Sequence, residues 1–141
     1  MASSRNSTAI TWSSSASVSL NSTSAFTSDA FAYNVEDWEA ELQVSADNSG
    51  TPASGDYVDV WAAYTAGDVL GDSSDDYDTT EHATYLGRLD TYSTNTPGED
   101  PARATWPLRT ANKGFKVIAK ANQGGTRAVT FRAMVSTHRP Q

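Results

Sequence analysis

The chain has 141 residues, no cysteine and a formal net charge of -7. That length suits one domain with its own core, the missing cysteines exclude disulfides and thiolate metal sites, and no stretch approaches membrane-spanning length. The acidic balance argues against nucleic acid as a partner, because such binding draws its affinity from Lys and Arg neutralising phosphates.

In chain order, residues 1–8 are polar and read as an N-terminal arm, with residues 9–141 as a single sandwich domain. Met1 opens MASSRNSTAITW, which has no apolar run of the kind a signal peptide needs. Ile10 and Trp12, then Val18 and Leu20, alternate with Ser and Thr in strand fashion around a turn at SSSA, and Phe31 and Tyr33 alternate with alanine in a further short strand. In WEAELQVSAD the period is two: Trp38, Ala40, Leu42, Val44 and Ala46 share one face, and Glu39, Glu41, Gln43 and Ser45 the other. The loop NSGTPASG then leads into DYVDVWAAYT, where Val58, Val60, Ala62 and Tyr64 point one way and Tyr57, Trp61 and Ala63 the other. Apolar side chains on both faces predict a central strand.

A loop rich in carboxylates follows, with Asp68, Asp72, Asp75, Asp76, Asp78 and Glu81 and no basic residue. Like charges at this density stay at the surface. Asp72, Asp75, Asp76 and Asp78 are the candidate calcium ligands, since calcium takes six to eight oxygens, but D-x-x-D-D-x-D is not the EF-hand spacing. The expectation is therefore a solvated or partner-facing loop with no metal and no cofactor. After the strand TYLGRLDTY comes STNTPGEDPA, and then Ala104, Trp106 and Leu108 alternate with polar residues, with Pro107 marking an edge strand or a bulge. Two final strands bury Phe115, Val117, Ala119 and Ala121 and then Val129, Phe131, Ala133 and Val135, and NQGGT between them reads as a hairpin connection.

Eight or nine short strands, polar turns and no amphipathic helix predict an all-β, antiparallel two-sheet β-sandwich of the jelly-roll type. All four tryptophans fall on faces expected to be buried, which favours packing over a sugar-stacking platform. There is no HExxH, no G-x-S-x-G and no cysteine nucleophile, so no enzyme is expected. Charge is divided along the chain. Up to Gly87 there is one basic residue against fourteen acidic ones, and from Arg88 onward nine basic against three acidic. Within one sandwich this division could pair opposite strands or opposite faces; if copies instead associate through it, Lys116, Lys120, Arg127 and Arg132 project outward as the basic partners, and Glu39, Glu41 or the Asp72–Asp78 loop as the acidic ones.

The runs DYVDVWAAYTAGD, DDYDTTEHATYLGRLDT, GEDPA and GFKVIAKANQGGTRAVTFRAMV together resemble small jelly-roll virion proteins of tailed bacteriophages, closest to capsid decoration, or cement, proteins. The likeness covers roughly residues 25–135. It implies a structural protein without an active site, made in the bacterial host cytoplasm and bound to the major capsid protein on the capsid exterior, expected as a homotrimer. A carbohydrate-binding sandwich module, or a tail or connector component, is the alternative.

Overall fold

A computed structural model describes residues 3–21, 25–48, 53–65, 83–92, 101–123 and 128–140. The described residues form ten strands: β1 (Ser3–Ala9), β2 (Val18–Leu20), β3 (Ala25–Thr27), β4 (Phe31–Ala32), β5 (Glu39–Asn48), β6 (Tyr57–Thr65), β7 (Thr84–Asp90), β8 (Ala102–Leu108), β9 (Gly114–Asn122) and β10 (Val129–Pro140). They make two five-stranded antiparallel sheets. One has the order β1-β10-β5-β8 with β2 also on β10, and the other β3-β9-β6-β7 with β4 also on β9.

With β1 and β2 counted as one position along β10, and β3 and β4 as one along β9, there are eight positions. The first pairs with the last, the second with the seventh, the third with the sixth and the fourth with the fifth. That is one long hairpin rolled into two facing sheets, the jelly-roll arrangement predicted from the sequence. Period-two patterning fixes the register. β5 buries Ala40, Leu42, Val44, Ala46 and Asn48 and leaves Glu39, Glu41 and Gln43 exposed. Inward residues of both sheets, among them Leu42, Phe131, Val60 and Phe115, form a single core. Trp12 meets Phe131 edge-on, with ring centroids 5.7 Å apart.

Four expectations are corrected. The segment read as a polar arm, 1–8, is in its described part an edge strand that pairs with β10 from Ser3 opposite Pro140 to Ala9 opposite Met134. An edge position asks only for alternating polar side chains and free backbone groups, which SSRNSTA supplies without any apolar signal. Ile10 and Trp12 are buried but belong to no strand. Trp12 instead bridges to Ser15 across a tight turn in which Ser13 and Ser14 have φ of 48° and 71°. NQGGT does not close a hairpin, because β9 and β10 lie in different sheets. Trp38 precedes β5 and is 55% exposed, so the buried face begins at Ala40. Pro107 does mark an edge, since among the described strands β8 pairs with β5 alone.

Where the two edge strands β7 and β8 face each other, a glycine allows a close approach. A Cβ built on Gly87 would lie 2.9 Å from Cζ2 and Nε1 of Trp106, so the indole of one sheet rests directly on the backbone of the other. Gly87→Ala is expected to cost about 1–3 kcal/mol as an overpacked contact. Trp106→Leu in the same chain should return part of that loss, because adjoining substitutions are coupled. Denaturant unfolding of the two variants and the pair checks it, and additive losses would contradict the contact.

Candidate functional site

Because inward positions are taken by the core, any recognition surface on the sheets lies on their two outer faces. On the outer face of the β3-β9-β6-β7 sheet, Tyr57, Asp59 and Trp61 alternate with buried Val58 and Val60. Cross-strand register places Asp59 opposite both Arg88 and Lys120, and Trp61 opposite both Tyr85 and Ile118. A register shift between Val60 and Trp61 brings Tyr85, rather than Leu86, against Trp61.

The result is a connected cluster. Arg88 donates through Nε to Asp59 Oδ1 at 2.8 Å and through Nη2 to Oδ2 at 3.0 Å. Tyr85 donates its hydroxyl to the same Oδ1 at 2.8 Å. The guanidinium also lies 3.5 Å from the centroid of the Tyr57 ring, and the rings of Trp61 and Tyr85 meet at 5.5 Å. Partial burial pushes the Asp59 carboxyl up, but the bonds from Arg88 and Tyr85 and the charges of Arg88 and Lys120 together hold it below the usual carboxylate range.

A group with a depressed folded value binds protons less readily than the unfolded chain does. Its stabilising contribution is complete above the ordinary carboxylate value of about 4 and is lost as pH falls through the lower folded value. Asp59→Asn should therefore flatten the fall in melting temperature between about pH 4 and pH 2. An unchanged acid slope would show that the Arg88 pair contributes nothing to folding.

The outer face of the other sheet is built in rows. Arg5, His138 and Glu39 form one, then Ser7, Ser136, Glu41 and Pro107, then Ala9, Met134, Gln43 and Thr105, and then Arg132, Ser45 and Arg103. A groove of about 660 Å³ opens over the last two, lined by Ser45, Met134, Arg103 and Arg132 among others, with Ala16 from the turn before β2. A smaller one, about 230 Å³, is lined by Arg5, Glu39, Glu41 and His138.

The predicted interface residues thus divide between two surfaces. Lys116 and Lys120 lie on the outer side of β9, while Arg132, Glu39 and Glu41 share the outer face of the opposite sheet. Glu39 stands 3.5 Å from Nδ1 of His138. Arg127 and the calcium candidates Asp72, Asp75, Asp76 and Asp78 lie outside the described residues, among which no group of three or more His, Cys, Asp or Glu is placed to hold a metal. Arg88 with Asp59, Arg139 with Asp37 and His138 with Glu39 each join an acid from the first part of the chain to a base from the second. The fold explains this, since it pairs the first half's strands with the last half's. The tryptophans divide too: Trp12 is buried and Trp106 packs against the core, but Trp61 lies half-buried on an outer face and Trp38 is exposed.

No family model and no curated protein matches the sequence. Among solved structures, the chain is similar to the VP2 subviral particle of infectious bursal disease virus, with 10% identity and a TM-score of 0.50 over 98% of this chain and 33% of the VP2 chain. It therefore spans about a third of VP2. It is also similar, at 18% identity and a TM-score of 0.39, to the capsid of the Helicobacter pylori bacteriophage KHP30 over 98% of this chain and 95% of that one. A third likeness, at 11% identity and a TM-score of 0.42, is to the C-terminal CBM6 of LamC, a laminarinase from Zobellia galactanivorans, over 94% and 98% of the two chains. The likeness to VP2 is one of fold: an antiparallel all-β sandwich.

Proposed function

We propose that this chain is a non-catalytic virion structural protein of a tailed bacteriophage, bound to the major capsid protein on the outside of the shell as a decoration protein. The observation that carries the reading is the jelly-roll sheet order, which runs from β1 to β10 and leaves nearly every described residue in the sandwich or its short connections. It is the architecture implied by the sequence resemblance to decoration proteins, and VP2 of a virus particle has a similar fold. The working surfaces are then sheet faces, not a cleft, and the mechanism is multivalent. An oligomer that touches several capsid subunits makes its second and later contacts intramolecularly, so modest single contacts add to firm attachment. Quantitative mass spectrometry of gradient-purified particles is the test. Copies in the hundreds per particle are expected, and a handful of copies would point to a tail or connector location.

The exposed Tyr85 beside half-buried Trp61, with the Asp59–Arg88 pair at hand for hydroxyl groups, supports a second reading as a carbohydrate-binding module. Retention of the protein by immobilised polysaccharides, abolished in Trp61→Ala, would favour it over the first.

A further inference from the structure

Four charged side chains on the β1-β10-β5-β8 face lack a hydrogen-bonding or ionic partner among the described residues: Arg103, Arg132, Glu41 and, opposite His138 one row beyond Glu41, Arg5. Their placement is ordered. Arg132 and Arg103 are both in register with Ser45, one on each neighbouring strand, so two guanidinium groups straddle a small residue on the central strand. Glu41 lies on the same strand as Ser45 and the same face, four positions back, flanked in its own row by the uncharged Ser136 and Pro107. Midway between them is Gln43, with Met134, 42% exposed, beside it in register.

A face with this layout is complementary to itself. If a second copy is laid on it with its strands reversed, about a two-fold axis running along the Gln43 row, β5 covers β5 and the Glu41 row covers the Ser45 row. Each Glu41 carboxylate then drops over Ser45 between two arginines, twice per pair of chains, and Met134 and Gln43 meet their own counterparts at the centre. The groove over Ser45 and Met134 is the space that the incoming side chains fill.

We propose that this sheet face is a two-fold interface between copies of the protein, held by Glu41 of each chain seated between Arg103 and Arg132 of the other. An isologous contact of this kind closes after two copies. Strands about 4.8 Å apart and up to about ten residues long at about 3.3 Å each give a face of roughly 600 Å². A standard interface covers about 800 Å² per partner, so the charged contacts have to supply much of the specificity. This contact differs from the three-fold association expected from the sequence, and it does not depend on the virion reading: a free dimer and a capsid-bound one use the same face.

The test is a charge exchange, read by sedimentation velocity of the full-length chain. One variant carries Glu41→Arg, and the other Arg103→Glu with Arg132→Glu. Alone, each places like charges against each other at both contacts, and dimer affinity should fall about a hundredfold or more. Mixed in equal amounts, they put opposite charges at both contacts, and a heterodimer should form. If either variant unfolds by circular dichroism, Glu41→Gln and the Arg103→Gln, Arg132→Gln pair replace them, each expected to weaken the dimer. A wild-type monomer at tens of micromolar, a three-copy assembly, a dimer indifferent to the reversals, or variants that stay monomeric when mixed would each overturn the proposal.

Discussion

Phe131→Ala is expected to lower stability by about 3–5 kcal/mol, the range for a large aromatic side chain truncated in a packed core. Phe131 is fully buried near the start of β10, with Trp12 packed edge-on against its ring. Its loss leaves a cavity between the two sheets that rigid strands on both sides cannot close. Trp38→Ala is the informative contrast. Its ring is over half exposed and touches His138 at a centroid distance of 5.7 Å, while its backbone N–H, which donates to the His138 carbonyl, survives the substitution. The Trp38 variant should stay within about 0.5 kcal/mol of the parent. Urea unfolding of both gives the answer, and equal losses would put Trp38 in the core after all.

Asn48→Ala is expected to cost about 2–6 kcal/mol, because it strands two buried polar groups at about 1–3 kcal/mol each. Asn48 ends β5 facing inward, where its Nδ2 donates to the Thr91 carbonyl at 2.9 Å and its Oδ1 accepts from Gln123 Nε2 at 3.0 Å. Those partners lie one residue past the ends of β7 and β9, so one side chain ties the first sheet to the second at that end of the sandwich. There is nothing to spare, as the Thr91 Oγ1 and Gln123 Oε1 atoms already lack a partner among the described residues. A thermal melt within about 1 °C of the parent would mean that the neighbouring strands hold this end without it, since 1 kcal/mol corresponds to several degrees in a domain this size.

The sandwich was legible wherever one residue in two was apolar. β5, β6, β9 and β10 repeat that pattern for seven or more residues, so their inward faces could be read directly from Leu42, Val60, Val117 and Phe131. β1 was not legible, since an edge strand made of Ser, Arg, Asn and Thr carries no apolar period and is fixed only by β10 beside it. Trp38 was misplaced for the converse reason: the period of two continues one step past the strand's first residue, and the backbone does not. The outer-face cluster was half visible. Tyr57 and Trp61 could be placed opposite Val58 and Val60, but Arg88 and Tyr85 reach them only through the register of the β6–β7 pair, which no local pattern encodes.

Charge was visible as a total but not as a map. An acidic first part and a basic second part fit either pairing within one sandwich or contact between copies, and a rolled hairpin lays the two halves side by side. Asp59 therefore meets Arg88, and Asp37 meets Arg139, within one molecule. What remains over is smaller and more specific: Glu41 with Arg5 in the next row toward one end of a sheet face, and Arg103 with Arg132 toward the other.

The most direct measurement is an image of the purified virion reconstructed by cryo-electron microscopy, in particles with and without this protein. A capsid decoration protein should appear as jelly-roll density at regular positions on the outer surface, absent from the deletion particles, whose heads should break at lower temperature. Density confined to the tail or connector, or particles of unchanged composition and heat resistance after the deletion, would contradict the capsid-exterior role.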